Sequence, residues 1–251
     1  MEQGRFSFGD AVVLVPPPAY PPGAALFEHQ RALGIGILEP SKAGSTLSTA
    51  PPAEHSSLVA STAHRVWPAA YALAMSLHAA HPVIDVRGRA VLELGAGCGL
   101  PGLAAWRAGA ASVCLTELPE NLPRLQQLVH HNGASGTVSV EALDWTQPLP
   151  EPIASRRWDV VLSADCVFWP ELFEPLLSTL AALVHPTTRV LLAVSDRLGR
   201  CADFEALAAR RGWALTEWRP HALDGAPPLP PGVMPVPAAQ PAPRLLVCAR
   251  I

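Results

Sequence analysis

The sequence predicts an α/β fold, a doubly wound and mostly parallel sheet of seven strands with one antiparallel strand. Strand-like and helix-like segments alternate from residue 90 onward, which is typical of a parallel sheet covered by helices. Asp159–Ala164 is apolar over most of its length, as central strands of such sheets are. The last two strand-like segments, Trp213–Trp218 and Leu245–Ala249, have no helix between them, so they can pair antiparallel.

The bounds of each element follow from the spacing of the apolar residues and from the Gly and Pro residues that interrupt it. The spacing predicts helices at Trp67–Ala80, Leu103–Ala108, Pro119–His131, Leu172–Val184 and Ala202–Arg211. It predicts the sheet strands at Ala90–Leu94, Ala111–Thr116, Thr137–Ala142, Asp159–Ala164, Arg189–Val194, Trp213–Trp218 and Leu245–Ala249. Two further short strands, Ala11–Val15 and Leu33–Leu38, are candidates for a hairpin. We therefore divide the chain into an N-terminal extension, residues 1–66, with a Ser-rich segment at 41–64, and a main domain, residues 67–251.

The composition excludes several classes of protein. Of the 251 residues, 49% are hydrophobic and 16% are charged, which fits a folded chain rather than a disordered one. The net charge of −3 argues against a general electrostatic attraction to nucleic acid. No run of about 18 apolar residues occurs, so we expect no membrane span.

The cysteines and histidines follow no pattern of disulfides or metal ligands. The chain has five cysteines, an odd number, and no CxxC pair. Reduced thiols favour a cytoplasmic location. His78 and His81 have HxxH spacing but lack a suitable third ligand, so we expect no metal site. We also expect the protein to act as a monomer.

The most informative segment is the glycine turn that follows the first strand of the sheet. The chain passes from Val91–Leu94 into glycines at 95, 97 and 99 and then into a helix. Such a turn lets a ligand approach the backbone at the carboxyl edge of a sheet. Gly97–Gly102 also matches the dinucleotide pattern GxGxxG, and Glu117 follows about 20 residues later, so an NAD(P)-dependent oxidoreductase stays open.

Glu93, inside the first strand, favours a different ligand. A carboxylate two residues before the turn would repel a pyrophosphate but can hold a cationic amino-acid group. S-adenosylmethionine carries an ammonium and a sulfonium and no phosphate. Glu117, at the end of the second strand, would then accept hydrogen bonds from both ribose hydroxyls.

Five segments together resemble a known family. They are His64–Ala70, Val91–Gly102, Thr116–Pro119, Leu143–Trp145 and Ala164–Phe168. They stand in the order seen in the family 16 protein methyltransferases, which are seven-strand, S-adenosylmethionine-dependent enzymes. The resemblance runs from about Trp67 to Val194 and is diffuse beyond that. It implies that the domain at 67–251 is a class I, Rossmann-like methyltransferase, with S-adenosylmethionine as cofactor and a lysine of a non-histone protein as substrate.

The resemblance and the strand ends together predict the site residues. The residues expected to bind the cofactor are Trp67, Glu93, Gly95, Ala96, Gly97, Gly99, Glu117, Leu118, Asp144, Trp145 and Ala164. Trp145 would pack on the adenine, and Asp144 would either orient the indole or bond the N6 amine of the adenine. Asp165 would bind the substrate ammonium, although a helix cap is the alternative. Phe168 and Trp169 would line an aromatic slot, in which cation–π interactions attract an ammonium. The alternative for Phe168 is an ordinary place in the hydrophobic core.

The sequence departs from the family at two site positions and at its periphery. Glu117 stands where the family usually has Asp, and Phe168 where it often has Tyr. The segments 41–64 and 220–243 are longer than is usual in the family. Such peripheral segments are expected to determine the substrate, so the resemblance does not indicate the target protein. A methyltransferase for a small molecule, an oxidoreductase and a non-catalytic binding module remain alternatives.

Overall fold

The computed structural model describes residues 4–8, 11–15, 63, 66–78, 82–196, 199–218 and 243–251. Near the N-terminus, β1 (Gly4–Phe8) and β2 (Ala11–Val15) form a two-stranded antiparallel sheet. The predicted strand at Ala11–Val15 is therefore confirmed, but its partner in the hairpin is Gly4–Phe8. The predicted partner, Leu33–Leu38, lies outside the described residues. The division of the chain at residue 66 stays a prediction.

The main domain alternates strands and helices as predicted. Its helices are α1 (Pro68–His78), α2 (Leu100–Arg107), α3 (Leu122–His131), α4 (Glu151–Ala154), α5 (Phe173–Leu183) and α6 (Cys201–Arg210). Its strands are β3 (Ala90–Leu94), β4 (Ser112–Glu117), β5 (Val138–Ala142), β6 (Val160–Ala164), β7 (Arg189–Val194), β8 (Trp213–Trp218) and β9 (Arg244–Arg250). The sequence missed the short helix α4 and the 3₁₀ turn Pro170–Leu172. The predicted helix Pro119–His131 begins as a 3₁₀ turn, Pro119–Asn121, before α3.

The seven strands form one sheet in the order β5-β4-β3-β6-β7-β9-β8. Neighbours from β5 to β7 pair in parallel, whereas β9 is antiparallel to both β7 and β8. The single antiparallel strand is therefore second from the edge. The chain order reverses between β3 and β6, and such a reversal opens a crevice at the carboxyl ends of the strands, where ligands bind.

Apolar side chains fill both faces of the sheet. Helices α1, α2 and α3 pack on one face, with Leu73, Leu103 and Leu128 fully buried. Helices α5 and α6 pack on the other face, with Leu176 and Phe204 fully buried. The result is the three-layer arrangement expected of helices covering both faces of a parallel sheet.

Two glycines end helices on the first face. In α2 the N–H of Gly109 bonds to the carbonyl of Trp106, and the N–H of Ala110 bonds to that of Ala105. Gly109 has a φ of 96°, which only glycine adopts at low cost. Gly133 ends α3 in the same way, so each helix stops and its chain turns back into the next strand.

None of the helices in the described ranges is long and apolar enough to cross a membrane. All five cysteines are free and buried.

Candidate active site

A cavity of about 310 Å³ lies at the carboxyl ends of β3, β4 and β6. Twelve of the thirteen residues predicted from the sequence line it: Trp67, Glu93, Gly95, Ala96, Gly97, Glu117, Leu118, Asp144, Trp145, Ala164, Asp165 and Phe168. The fold brings these residues together because parallel strands end at one edge of the sheet.

Gly95 and Gly97 form the floor of the cavity. Gly95 has a φ of 61°, and a Cβ there would lie 2.7 Å from Cys166 Sγ and 3.1 Å from the Trp145 ring. Gly97 has a φ of 52° and lies under the carbonyl of Ala63. Both the backbone conformation and the space therefore require glycine, and the turn leaves room for a ligand against its backbone.

Gly99 is the one predicted residue that does not line the cavity. It precedes α2 with a φ of 65°, and a Cβ there would meet Leu115 Cδ1 at 2.9 Å and Leu125 Cδ1 at 3.0 Å. These core contacts account for the glycine, and a contact with the cofactor stays a prediction.

Glu93 joins β3 to the start of α2. It is 1% exposed, and its Oε2 accepts a hydrogen bond from the N–H of Gly102 at 2.7 Å. Burial raises the pKa of Glu93 to about 8; the Gly102 N–H opposes the shift and the nearby charge of Glu117 adds to it. An acid of this kind prefers its neutral form until a cation enters the cavity.

Glu117, the last residue of β4, holds the glycine turn. Its Oε2 accepts from the N–H of Gly97 at 2.9 Å. Its Oε1 accepts from the N–H of Leu118 at 2.9 Å and from Nδ2 of Asn121 at 3.1 Å. Because a carboxylate offers about four lone-pair sites, about one remains, on Oε2. One ribose hydroxyl can therefore donate to Oε2 without displacing a bond that Glu117 already accepts. A second hydroxyl must share Oε1 with its present donors or displace the Asn121 amide.

Trp145 and Asp144 follow β5 at the other side of the floor. The half-buried Trp145 ring lies against Gly95, where it can cover a planar group. Asp144 Oδ1 accepts from the N–H of Thr146 at 2.9 Å and from its hydroxyl at 2.7 Å. These bonds fix the turn that presents Trp145, and the role of Asp144 toward the cofactor stays a prediction.

Asp165 follows β6 in a strained conformation. Its φ is 58°, and it is the one non-glycine residue with a positive φ in the part of the chain that the structure describes. Its Oδ1 accepts from the N–H of Ser195 at 3.2 Å, and it is 7% exposed. Left-handed non-glycine residues cost about 1–3 kcal/mol and cluster at functional sites. The observed bond runs to the end of β7 rather than to a helix N-terminus, which argues against the capping alternative.

Phe168 and Trp169 form an aromatic wall of the cavity. Their ring centroids are 5.3 Å apart with an interplanar angle of 49°. Phe168 is half-buried rather than fully in the core.

The sequence analysis did not identify several lining residues. They include Ala63, Val66, Ala70, Thr146, Glu171 and Leu172. Glu171 is two residues beyond the aromatic pair, which is the signal that would have indicated it. Cys98 and Cys166 also line the cavity, but burial raises their pKa values to about 11 and about 12, so neither is a thiolate nucleophile.

The charges of the lining residues are all of one sign. Five carry carboxyl groups, Glu93, Glu117, Asp144, Asp165 and Glu171, and none of the described lining residues is Lys, Arg or His. Together with the aromatic rings, this arrangement suits a cationic ligand and disfavours a pyrophosphate. No group of His, Cys, Asp and Glu side chains in the described residues has an arrangement that could hold a metal ion.

Comparisons with known proteins agree with this geometry. EEF1A lysine methyltransferase 3 of Mus musculus is 37% identical over 142 residues, which is 56% of this chain and 59% of the relative. Histone-arginine methyltransferase METTL23 of Homo sapiens is 33% identical over 152 residues, 60% of this chain and 78% of the relative. A methyltransferase structure from Pyrococcus furiosus has a TM-score of 0.51 at 14% identity, over 71% of this chain and 81% of that one, and shows the fold.

The chain spans about three fifths of the length of the mouse relative. A family model described as lysine methyltransferase matches residues 53–209, more than half of the chain. The chain therefore belongs to the lysine methyltransferase family, with the class I methyltransferase fold.

Proposed function

We propose that the protein transfers a methyl group from S-adenosylmethionine to a lysine side chain of another protein. The observation that carries this proposal is the cavity lining, with five carboxyl groups, four aromatic side chains and no basic residue among those described. Both reactants of a lysine methylation are cationic, so an acidic, aromatic cavity attracts each of them.

The cofactor is S-adenosylmethionine, and the residues present fit it. Gly95 and Gly97 line the cavity with backbone alone, and their positive φ angles hold the turn in a conformation that only glycine adopts at low cost. Glu117 keeps an acceptor site for a ribose hydroxyl, and the Trp145 ring can cover the adenine. An NAD(P) cofactor would place a pyrophosphate near Glu93 and Glu117, and none of the described lining residues offers a positive side chain to balance it.

The chain contributes alignment rather than acid–base chemistry. S-adenosylmethionine supplies a methyl group on a sulfonium, which leaves as a neutral thioether when the amine nitrogen bonds to the methyl carbon. Asp165 attracts and orients the incoming ammonium. Phe168 and Trp169 exclude water, and this desolvation lowers the pKa of the lysine so that it loses its proton to bulk water. Holding the amine in line with the methyl group supplies the remaining acceleration.

Arginine is the second candidate acceptor, because one relative is a histone-arginine methyltransferase. A guanidinium is recognised best by carboxylates that accept two parallel hydrogen bonds. Asp165 has one oxygen occupied by the N–H of Ser195. This single bond does not decide between the two acceptors, and lysine stays the first candidate because the family model that matches residues 53–209 is described as lysine methyltransferase.

The proposal extends to the setting of the reaction. The five free, buried cysteines support a cytoplasmic location. The acidic cavity supports a protein rather than a nucleic acid as substrate. We further propose that the protein acts as a monomer, that it binds no membrane, and that residues 67–251 form the catalytic domain.

Tritiated methyl transfer from S-adenosylmethionine into a lysate of the source organism tests the proposal. We expect a labelled protein whose hydrolysate contains methylated lysine. Calorimetry with S-adenosylhomocysteine and with NAD is the companion measurement. Methylarginine as the labelled residue would favour the second candidate, and tight NAD binding without a response to S-adenosylhomocysteine would reject the function.

A further inference from the structure

Glu171 occupies a distinct place among the acidic residues of the cavity. It is the middle residue of the 3₁₀ turn Pro170–Leu172, it is exposed, and it lines the cavity. The aromatic pair Phe168 and Trp169 lies immediately before this turn. Glu171 therefore stands where the aromatic wall meets solvent.

The other four carboxylates of the cavity each accept a backbone N–H. The donors are Gly102 for Glu93, Gly97 and Leu118 for Glu117, Thr146 for Asp144, and Ser195 for Asp165. Glu171 forms no hydrogen bond or ion pair with the residues that the structure describes. Its acceptor sites are thus available to a molecule that enters the cavity.

We propose that Glu171 is a specificity-determining residue that pairs with a basic side chain flanking the methylated lysine of the substrate. This inference rests on the proposed function and adds a sequence preference to it. Asp165 is 7% exposed and lies deeper, so it meets the acceptor ammonium, whereas the exposed Glu171 meets a neighbouring residue of the substrate. No described lining residue supplies a cation that would compete for Glu171.

Charge pairs at the rim of an interface contribute modestly and depend on salt. Exposed pairs change an affinity by up to about fivefold. Charges at the rim of an interface also act mainly on the rate at which the partners associate. The preference for a basic side chain should therefore weaken as the ionic strength rises. We therefore expect an effect on KM rather than on kcat.

Single-lysine peptides test the inference with the full chain and S-adenosylmethionine. Arg, Ser or Asp is placed in turn at each position beside the lysine, and initial rates give KM and kcat. The same peptides, carrying a fluorophore, are titrated by anisotropy in the presence of S-adenosylhomocysteine. We expect Arg at one or more positions to lower KM and Kd about three- to fivefold relative to Ser. E171Q should remove this preference, and E171K should shift it to Asp.

E120Q is the matched control. Glu120 is also exposed and is also the middle residue of a 3₁₀ turn that begins with proline, but it does not line the cavity. E120Q should keep the Arg preference. If S-adenosylhomocysteine binds but Arg gives no advantage in rate or affinity, or if E171Q keeps the advantage, the role of Glu171 is wrong. If S-adenosylhomocysteine does not bind, the proposed function itself fails.

Discussion

The buried carboxylate of Glu93 accepts a hydrogen bond from the backbone N–H of Gly102, with 2.7 Å between Oε2 and N. A Cβ at Gly102 would lie 2.6 Å from that oxygen and 2.2 Å from Leu115 Cδ2. Gly102 thus allows α2 to pack closely on β3 and β4. The third glycine of the dinucleotide pattern serves packing here, which is why the pattern occurs in a methyltransferase fold.

Replacing Gly102 with Ala should destabilise the protein by about 1–3 kcal/mol, because the methyl group overpacks the contact between helix and sheet. Urea denaturation measures the change. Gly136→Ala is the control, since a Cβ there meets nothing within 4 Å, and should change stability by less than about 0.5 kcal/mol. Equal stability of the two variants would show that α2 can shift away from β3 and β4 at little cost in free energy.

Glu93 should make stability depend on pH. Its pKa is about 8 in the folded protein and ordinary, 4.5, when unfolded, so the folded state binds the extra proton between these values. Stability from this group is complete below about pH 4.5 and is lost as the pH rises through about 8, with a slope of up to about 1.4 kcal/mol per pH unit. Urea denaturation of the parent and Glu93→Gln across this range measures the difference. If the free energies of unfolding of the parent and of Glu93→Gln change with pH in the same way, Glu93 is not protonated in the folded protein.

The succession of elements along the chain and the sheet edge that holds the site could be predicted from the sequence, whereas the order of the strands within the sheet comes from the structure. Ala90–Leu94 and Arg189–Val194 are bounded by clear turn signals and match the observed strands residue for residue. The four-residue helix Glu151–Ala154 was missed because it spans only about one helical turn of 3.6 residues, too short for apolar residues to repeat. Trp213–Trp218 also matches at both ends, and the bounds of the other predicted sheet strands and helices agree or differ by up to three residues, since element ends depend on local hydrogen bonds rather than on periodicity.

The internal hydrogen bonds of the site could not be predicted from the sequence. Glu117 was expected to serve the ribose alone, whereas three of its acceptor sites hold Gly97, Leu118 and Asn121. The ends of the predicted strands indicate which carboxylates lie at the same edge of the sheet. They do not indicate from which donors each carboxylate accepts a hydrogen bond. The left-handed conformation of Asp165 is likewise a product of the folded chain; Asp is one of the few residue types that tolerate it, but residue type alone does not say which Asp adopts it.

Glu117→Ala should weaken S-adenosylhomocysteine binding and also destabilise the fold. The variant loses a charge-assisted bond to the ribose and frees the N–H of Gly97, so we expect at least a tenfold loss of affinity and about 1–3 kcal/mol of stability. Calorimetry and urea denaturation measure the two effects. The control, Glu120→Ala, removes an exposed carboxylate three residues later and should change neither. Normal affinity in Glu117→Ala would mean that the ribose binds elsewhere.

Asp165→Asn should isolate the charge of Asp165 from its structural role. Asn tolerates the left-handed region almost as well as Asp, and its Oδ1 can still accept from the N–H of Ser195. Stability and cofactor affinity should therefore stay close to those of the parent. Methyl transfer should fall by at least about tenfold, because the neutral amide no longer attracts the substrate ammonium.

The pH profile distinguishes this role of Asp165 from a general loss of activity. If Asp165 orients an ammonium that then loses its proton, raising the pH from about 7 to about 10 supplies more neutral amine and should partly restore the rate of the Asn variant. Single-turnover transfer to the labelled target measures both profiles. Asp165→Ala is the comparison, since it also loses the bond to Ser195 and should lose stability as well as rate. Full activity of Asp165→Asn at every pH would remove Asp165 from the mechanism and leave its strained backbone without a function.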